Sequence, residues 1–146
     1  MQELDQLQKQ ISSRETQLYL LEDLIMNSNL EETIHPAGKP ITSGWISSYY
    51  GMRKDPLDGK TKHHKGIDLK ARRGTEVYAA CSGEVVDLDL STDNNGYGKH
   101  IIIMHASGYQ TLYAQLSEVK IKLGQSVQQG ELIGLVGSSG RSTGPH

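Results

Sequence analysis

The sequence predicts a mainly β domain preceded by one long α-helix. Residues 1–30 contain no Gly or Pro and repeat apolar residues at heptad spacing. From Ile41 onward, short Val/Ile/Leu runs alternate with turn residues, in a chain of sixteen glycines and no phenylalanine. No amphipathic pattern of helix length follows residue 40. The 146 residues suffice for one domain of ordinary size plus an extension.

The helix comes first. Leu4, Leu7, Ile11, Leu18, Leu21 and Ile25 fall at a and d positions, with Arg14 as the one polar d residue. Glu, Gln, Lys and Leu supply the helix propensity. The apolar stripe is narrow, as in a coiled-coil seam. Two readings stand: a tether, or a helix that self-associates or docks on a partner, since an isolated helix of this length is marginal in water. Asn27–Ser28–Asn29 weakens the helix, and residues 31–40, with Pro36 and Pro40, read as a linker.

The β domain spans 41–146. Asp55–Pro56–Leu57–Asp58–Gly59 carries strong turn chemistry. Strands are predicted at Glu76–Ala80, Gly83–Leu90, Lys99–His105, Tyr109–Leu116 and Glu131–Val136, with connections at Asp93–Gly96 and Ala106–Gly108. Gly74–Thr75–Glu76–Val77 leading to Ser82–Gly83–Glu84–Val85 echoes Gly124–Gln125–Ser126–Val127 leading to Gln129–Gly130–Glu131–Leu132, a degenerate repeat of strand–turn–strand units.

A net charge of −2 and a pI near 6.3 argue against nucleic acid as the main partner. No apolar run reaches the roughly 20 residues of a membrane span. Cys81 is the only cysteine, which excludes an intrachain disulfide and leaves the redox compartment open; it reads as a small buried apolar residue. No signal segment opens the chain, and Met1 begins inside a polar helical pattern, as if the sequence were cut from a longer one.

His64 and Asp68 are the first candidate ligands. On a straight strand their Cα atoms would lie about 13 Å apart, whereas two donors on one tetrahedral zinc approach within about 3.5 Å. The chain must therefore bend, and Gly66 offers the conformational freedom. A helical i, i+4 pair is the alternative, disfavoured by Gly66 and the surrounding strand pattern. Taken alone, the string also fits a solvated basic turn over Lys60–Lys65.

Gly44–Trp45–Ile46–Ser47–Ser48–Tyr49–Tyr50–Gly51–Met52–Arg53, then His64–Lys65–Gly66–Ile67–Asp68, resembles the opening of a lysostaphin-like (LytM-type) zinc endopeptidase domain. The resemblance continues through Gly74–Val77, Gly96–Tyr97–Gly98 and Gly108–Ala114, and closes with Gly137–His146, covering residues 36–146 in the family's order. It implies an antiparallel sheet/barrel-sandwich hybrid, and zinc as cofactor with His64 and Asp68 as ligands. It implies a third ligand from a closing His-x-His motif, whose first histidine assists catalysis. His146 matches that first histidine, and the residue two positions on lies past the sequence. The sequence therefore reads as a fragment whose last strand continues past His146. On a strand such neighbours share a face about 6.6 Å apart, one for the metal and one for the substrate's carbonyl. With His64 and Asp68 alone, zinc would be held poorly.

The family's Tyr-Ala-His-Leu reads Tyr113–Ala114–Gln115–Leu116 here. Gln115 stands at a position the resemblance makes catalytic, yet an amide takes up no proton near neutral pH, a loss worth about 10²–10⁴ in rate. Arg53 reads as orienting substrate or the metal site, or as a surface ion pair. Tyr49, Tyr50, Tyr97 and Tyr113 read as β-sheet residues and candidates to line a groove, Tyr97 among the substrate-binding candidates; the groove between the sheet and the loops at 52–63 and 91–98 would hold the stem peptide. His63 reads as a surface neighbour, His35 as solvated, and His100 and His105 as structural. The implied activity is hydrolysis of peptide cross-links between peptidoglycan stem peptides in the cell envelope. The rival is a catalytically weakened module that binds or activates another cell-wall hydrolase; a carrier module of related fold fits less well with His64, Asp68 and His146 together.

Overall fold

The computed structural model describes residues 2–26, 35–92 and 96–146. Helix α1 spans Gln2–Met26, and its apolar seam is open to solvent, with Leu4, Leu7, Ile11, Leu18 and Leu21 all 40–69% exposed. The Asn27–Ser28–Asn29 break and most of the Asp93–Gly96 connection lie outside the described residues. No helix among the described residues is long and apolar enough to cross a membrane.

The strands are β1 Trp45–Ser48, β2 Gly51–Lys54, β3 Thr61–His64, β4 Asp68–Lys70, β5 Glu76–Tyr78, β6 Gly83–Asp89, β7 His100–His105, β8 Gln110–Tyr113, β9 Glu118–Val119, β10 Ser126–Val127 and β11 Leu132–Leu135. They pair antiparallel in the orders β1-β4, β2-β3, β10-β6-β7-β8 and β5-β11-β9. Mainly β with one N-terminal helix is therefore the observed class.

The two larger sheets enclose the core. Ile101, Ile103 and His105 turn inward from β7 at the strand period of two, and meet Val85 of β6, Val77 of β5 and Ile133 of β11. Burial of these aliphatic side chains, at about 1.5–3 kcal/mol each, is the main driving force for the fold. None of the fully buried apolar residues comes from β1–β4, so the two small ribbons lie outside the core.

The sequence echo has a structural counterpart. Gly74 and Gly124 both take positive φ (87° and 79°) one turn before Val77 and Val127, which are both buried. The units exchange partners: β5 pairs with β11, and β6 with β10, so the first strand of each sits against the second strand of the other. Strand β8 stops at Tyr113, three residues short of the predicted end, because Gln115 adopts φ +64° and leaves the extended region.

Candidate metal centre

His64 ends β3 and Asp68 opens β4. Since β3 pairs with β2 and β4 with β1, the chain leaves one ribbon and enters another between these residues. That change of sheet brings His64 Nε2 within 3.1 Å of Asp68 Oδ1. The bend is present, but the expected reason for it is not. Gly66 is absent from the positive-φ glycines, and a Cβ added there would meet nothing within 4 Å. Pairing with two different partner strands turns the chain, and glycine's special freedom is not used.

Each ligand candidate is held from behind. His64 Nδ1 lies 3.0 Å from the carbonyl oxygen of Tyr49, in the β1–β2 connection. A carbonyl only accepts, so Nδ1 carries a proton and Nε2 is the nitrogen turned toward Asp68. Arg53 donates to Asp68 Oδ2 at 3.0 Å and to Ser48 Oγ at 2.6 Å, leaving Oδ1 turned toward His64. Arg53 is thus ion-paired with Asp68, a contact that fits both readings of it. Two acceptors 3.1 Å apart repel unless a cation, a proton or a metal ion, lies between them. The separation suits two donors on one tetrahedral ion, which sit about 3.5 Å apart or a little less. Among the described residues no group of three or more His, Cys, Asp or Glu is arranged to hold a metal, so the protein contribution described is this pair.

His146 sits at the end of the loop after β11. Its Nδ1 lies 2.9 Å from the Gly144 carbonyl and 3.0 Å from Ser142 Oγ, and its backbone N–H donates to Gly137. No hydrogen bond or ion pair among the described residues links His146 to the His64–Asp68 pair. Gln115 is only 7% exposed, and both ends of its amide are occupied by backbone: Nε2 donates to Gly96 O and Oε1 accepts from Gly140 N, each at 2.7 Å. Tyr97 is 45% exposed, stacks at a tilt on His100, and accepts the Gln115 backbone N–H.

The tyrosines divide. Tyr49 and Tyr50 are exposed, Tyr50 meeting His63 edge-on, whereas Tyr113 is buried and its hydroxyl accepts from Ala80 N at 2.9 Å. Tyr113 is thus a core residue and lines no groove. His105 is buried and bonded at both nitrogens, His100 is buried with Nδ1 on Gly98 O, and Cys81 is fully buried, its thiol pKa raised by burial. His35 is exposed and meets Tyr109 edge-on.

A charge cluster at the tip of the β2–β3 hairpin escaped the sequence reading. Lys62 reaches both Asp55 (2.8 Å) and Asp58 (2.6 Å), and Arg141 lies 3.3 Å from each. The hydrogen bond from Lys62, with backbone N–H donors behind it, holds the Asp55 pKa down at about 2. Arg141 thereby ties the His64 hairpin to the His146 loop, a link that 83 and 86 residues of separation hide from local pattern.

Residues 62–146, which contain the His64–Asp68 pair and end on His146, match the model described as peptidase family M23. The chain belongs to peptidase family M23. The chain is 43% identical over 108 residues to the DD-carboxypeptidase/endopeptidase Mpg of Neisseria meningitidis, covering 74% of this chain and 24% of Mpg. Among solved structures it resembles the catalytic domain of the antimicrobial peptidase lysostaphin from Staphylococcus simulans (33% identity, TM-score 0.63, 70% of this chain and 75% of that one). A zinc-containing peptidase from Vibrio cholerae is similar at 34% identity and TM-score 0.57, over 78% of this chain and 33% of that one. The fold is lysostaphin-like. The chain spans about a quarter of the length of the curated relatives it matches.

Proposed function

We propose that this M23 domain, residues 41–146, is a zinc-dependent endopeptidase that hydrolyses peptide cross-links of peptidoglycan in the cell envelope. The observation that carries the reading is the His64 Nε2–Asp68 Oδ1 pair, 3.1 Å apart with Nδ1 already committed to the Tyr49 carbonyl. His64 and Asp68 would hold the ion, and a bound zinc supplies a Lewis acid that polarises the scissile carbonyl and acidifies a water. Tyr49 and Arg53 fix the two donor atoms, which removes the entropy of orienting them. With Nδ1 on Gly144 O, Nε2 is the His146 nitrogen left for chemistry: neutral, it would take a proton; protonated, it would donate to the oxygen on which charge develops. Arg53 and Tyr97 would border the stem peptide.

The exposed seam of α1 supports residues 1–30 as a helix that docks on a helical partner or on a second copy, joined through 31–40. A second reading, a module that recruits another cell-wall hydrolase, draws support from that seam and from Gln115. Incubation with purified peptidoglycan sacculi decides between them. The enzyme releases muropeptides, release stops with a chelator and returns with zinc, and His64→Ala abolishes it. Binding to sacculi with no release under any metal condition would leave the recruiting module.

A further inference from the structure

Three segments meet: the turn at 96–98, Gln115 after β8, and the loop at 137–146 that carries His146. They approach so closely that a Cβ on Gly98 would lie 2.3 Å from Gly140 N, and one on Gly140 2.4 Å from Gly96 O. Arg141 N donates to Gly96 O and Lys99 N to Ser139 Oγ, both at 2.9 Å. Gln115 sits at the centre. Its backbone N–H donates to Tyr97, its amide nitrogen to Gly96 and its amide oxygen accepts from Gly140, so one side chain spans both loops. It does so at φ +64°, a conformation costly for a residue with a Cβ and sustained only where the surroundings over-determine it.

We propose that Gln115 is a positioning residue that clasps the His146 loop to the 96–98 turn and takes no part in proton transfer. Turning the amide to a substrate would take the acceptor from Gly140 N–H and the Gln115 donor from Gly96 O, which Arg141 N also serves, at a site only 7% exposed. A neutral imidazole also offers one donor and one acceptor, so a histidine at this position could clasp in the same way. An amide keeps that pattern at every pH. The proposal rests on the functional reading only for what His146 does; the clasp itself is independent of it.

Gln115→Asn is the test variant, because asparagine tolerates left-handed φ but its shorter side chain cannot span the loops; Gln115→His is the rescue. Amide hydrogen exchange is read segment by segment. In Gln115→Asn the amides of 137–146 exchange about tenfold faster or more, those of β6–β8 are unchanged, and Gln115→His restores protection at pH 8. On sacculi, kcat falls in Gln115→Asn with KM within about twofold, and Gln115→His stays within a few-fold of the parent. Exchange in 137–146 that does not change in Gln115→Asn overturns the clasp, as does loss of β6–β8 protection in both variants. A gain in kcat of about 10²–10⁴ in Gln115→His would assign the position to proton transfer and overturn the proposal. A parent that cleaves nothing, with exchange behaving as stated, would sink the peptidase reading and leave the clasp standing.

Discussion

The buried chain through His105 makes a specific pH prediction. His105 Nδ1 lies 2.8 Å from Ser82 O and Nε2 2.8 Å from Thr111 Oγ1; Thr111 Oγ1 lies 3.0 Å from the Tyr113 hydroxyl, which accepts from Ala80 N. The Thr111 hydroxyl can donate to the Tyr113 oxygen or to a neutral Nε2; with His105 neutral, the arrangement that uses each proton once is Nδ1–H to Ser82, Thr111 hydroxyl to Nε2, Tyr113 hydroxyl to Thr111, Ala80 N–H to Tyr113. Protonating Nε2 reverses the Thr111 hydroxyl and strands the buried Tyr113 proton without an acceptor, a penalty of about 1–3 kcal/mol. Burial lowers the His105 pKa below its ordinary value of 6.5, against a smaller opposing contribution from the Ser82 bond. The unfolded chain therefore takes up a proton first as pH falls below about 6.5. Stability is full above that pH and declines until the folded-state pKa is passed. Tyr113→Phe removes the stranded donor. At pH 8 it costs about 1–3 kcal/mol, because Ala80 N–H loses its acceptor. Thr111 is only half-buried, so in the variant its hydroxyl can turn to water and acid costs less. Urea unfolding of both proteins from pH 8 to 5 should show their stability difference shrinking as pH falls. A difference constant across that range would refute the proton assignment.

Three further outcomes follow from the same geometry. Lys62→Met should raise the Asp55 pKa from about 2 toward its ordinary 3.8 by more than Arg141→Gln does, since the Lys62 bond is the largest cause and Arg141 the smallest; carboxyl NMR titration reads the ranking. The Asp55 interactions favour folding above pH about 3.8 and fade as pH falls through about 2. Gly98→Ala should destabilise the domain strongly, because φ is +62° and the new methyl would meet Gly140 N at 2.3 Å; a thermal midpoint within a degree or two of the parent would contradict the packing. Ile133→Ala empties a fully buried site and should cost about 2–5 kcal/mol by denaturant unfolding.

The fold was legible where the cause is local. Ile101–Ile102–Ile103–Met104 and Val85–Val86 are β-branched or apolar runs between turns, and each became a strand close to its predicted bounds. The His64–Asp68 spacing demanded a bend from bond lengths alone, and the bend is there. Its cause was not legible, because it lies in which strands β3 and β4 pair with, and pairing is non-local. The same applies to the partners of the site. Asp68 takes Arg53 from another ribbon, His64 takes the carbonyl of Tyr49, and Arg141 reaches Asp55 across most of the domain. Gln115 reads in sequence as a residue lacking a proton; its hydrogen bonds depend on two loops that only the folded chain brings together.

The central claim is the proposal that His64 and Asp68 together hold a metal ion. Nitrogen-15 NMR of the His64 ring, without zinc and through a titration to zinc excess, tests it most directly. The account predicts a protonated Nδ1 in both samples and an Nε2 signal that moves to a metal-bound position with zinc, with no such movement in Asp68→Asn. A ring protonated at both nitrogens and unaffected by zinc would make the pair an ordinary His–Asp ion pair and contradict the account.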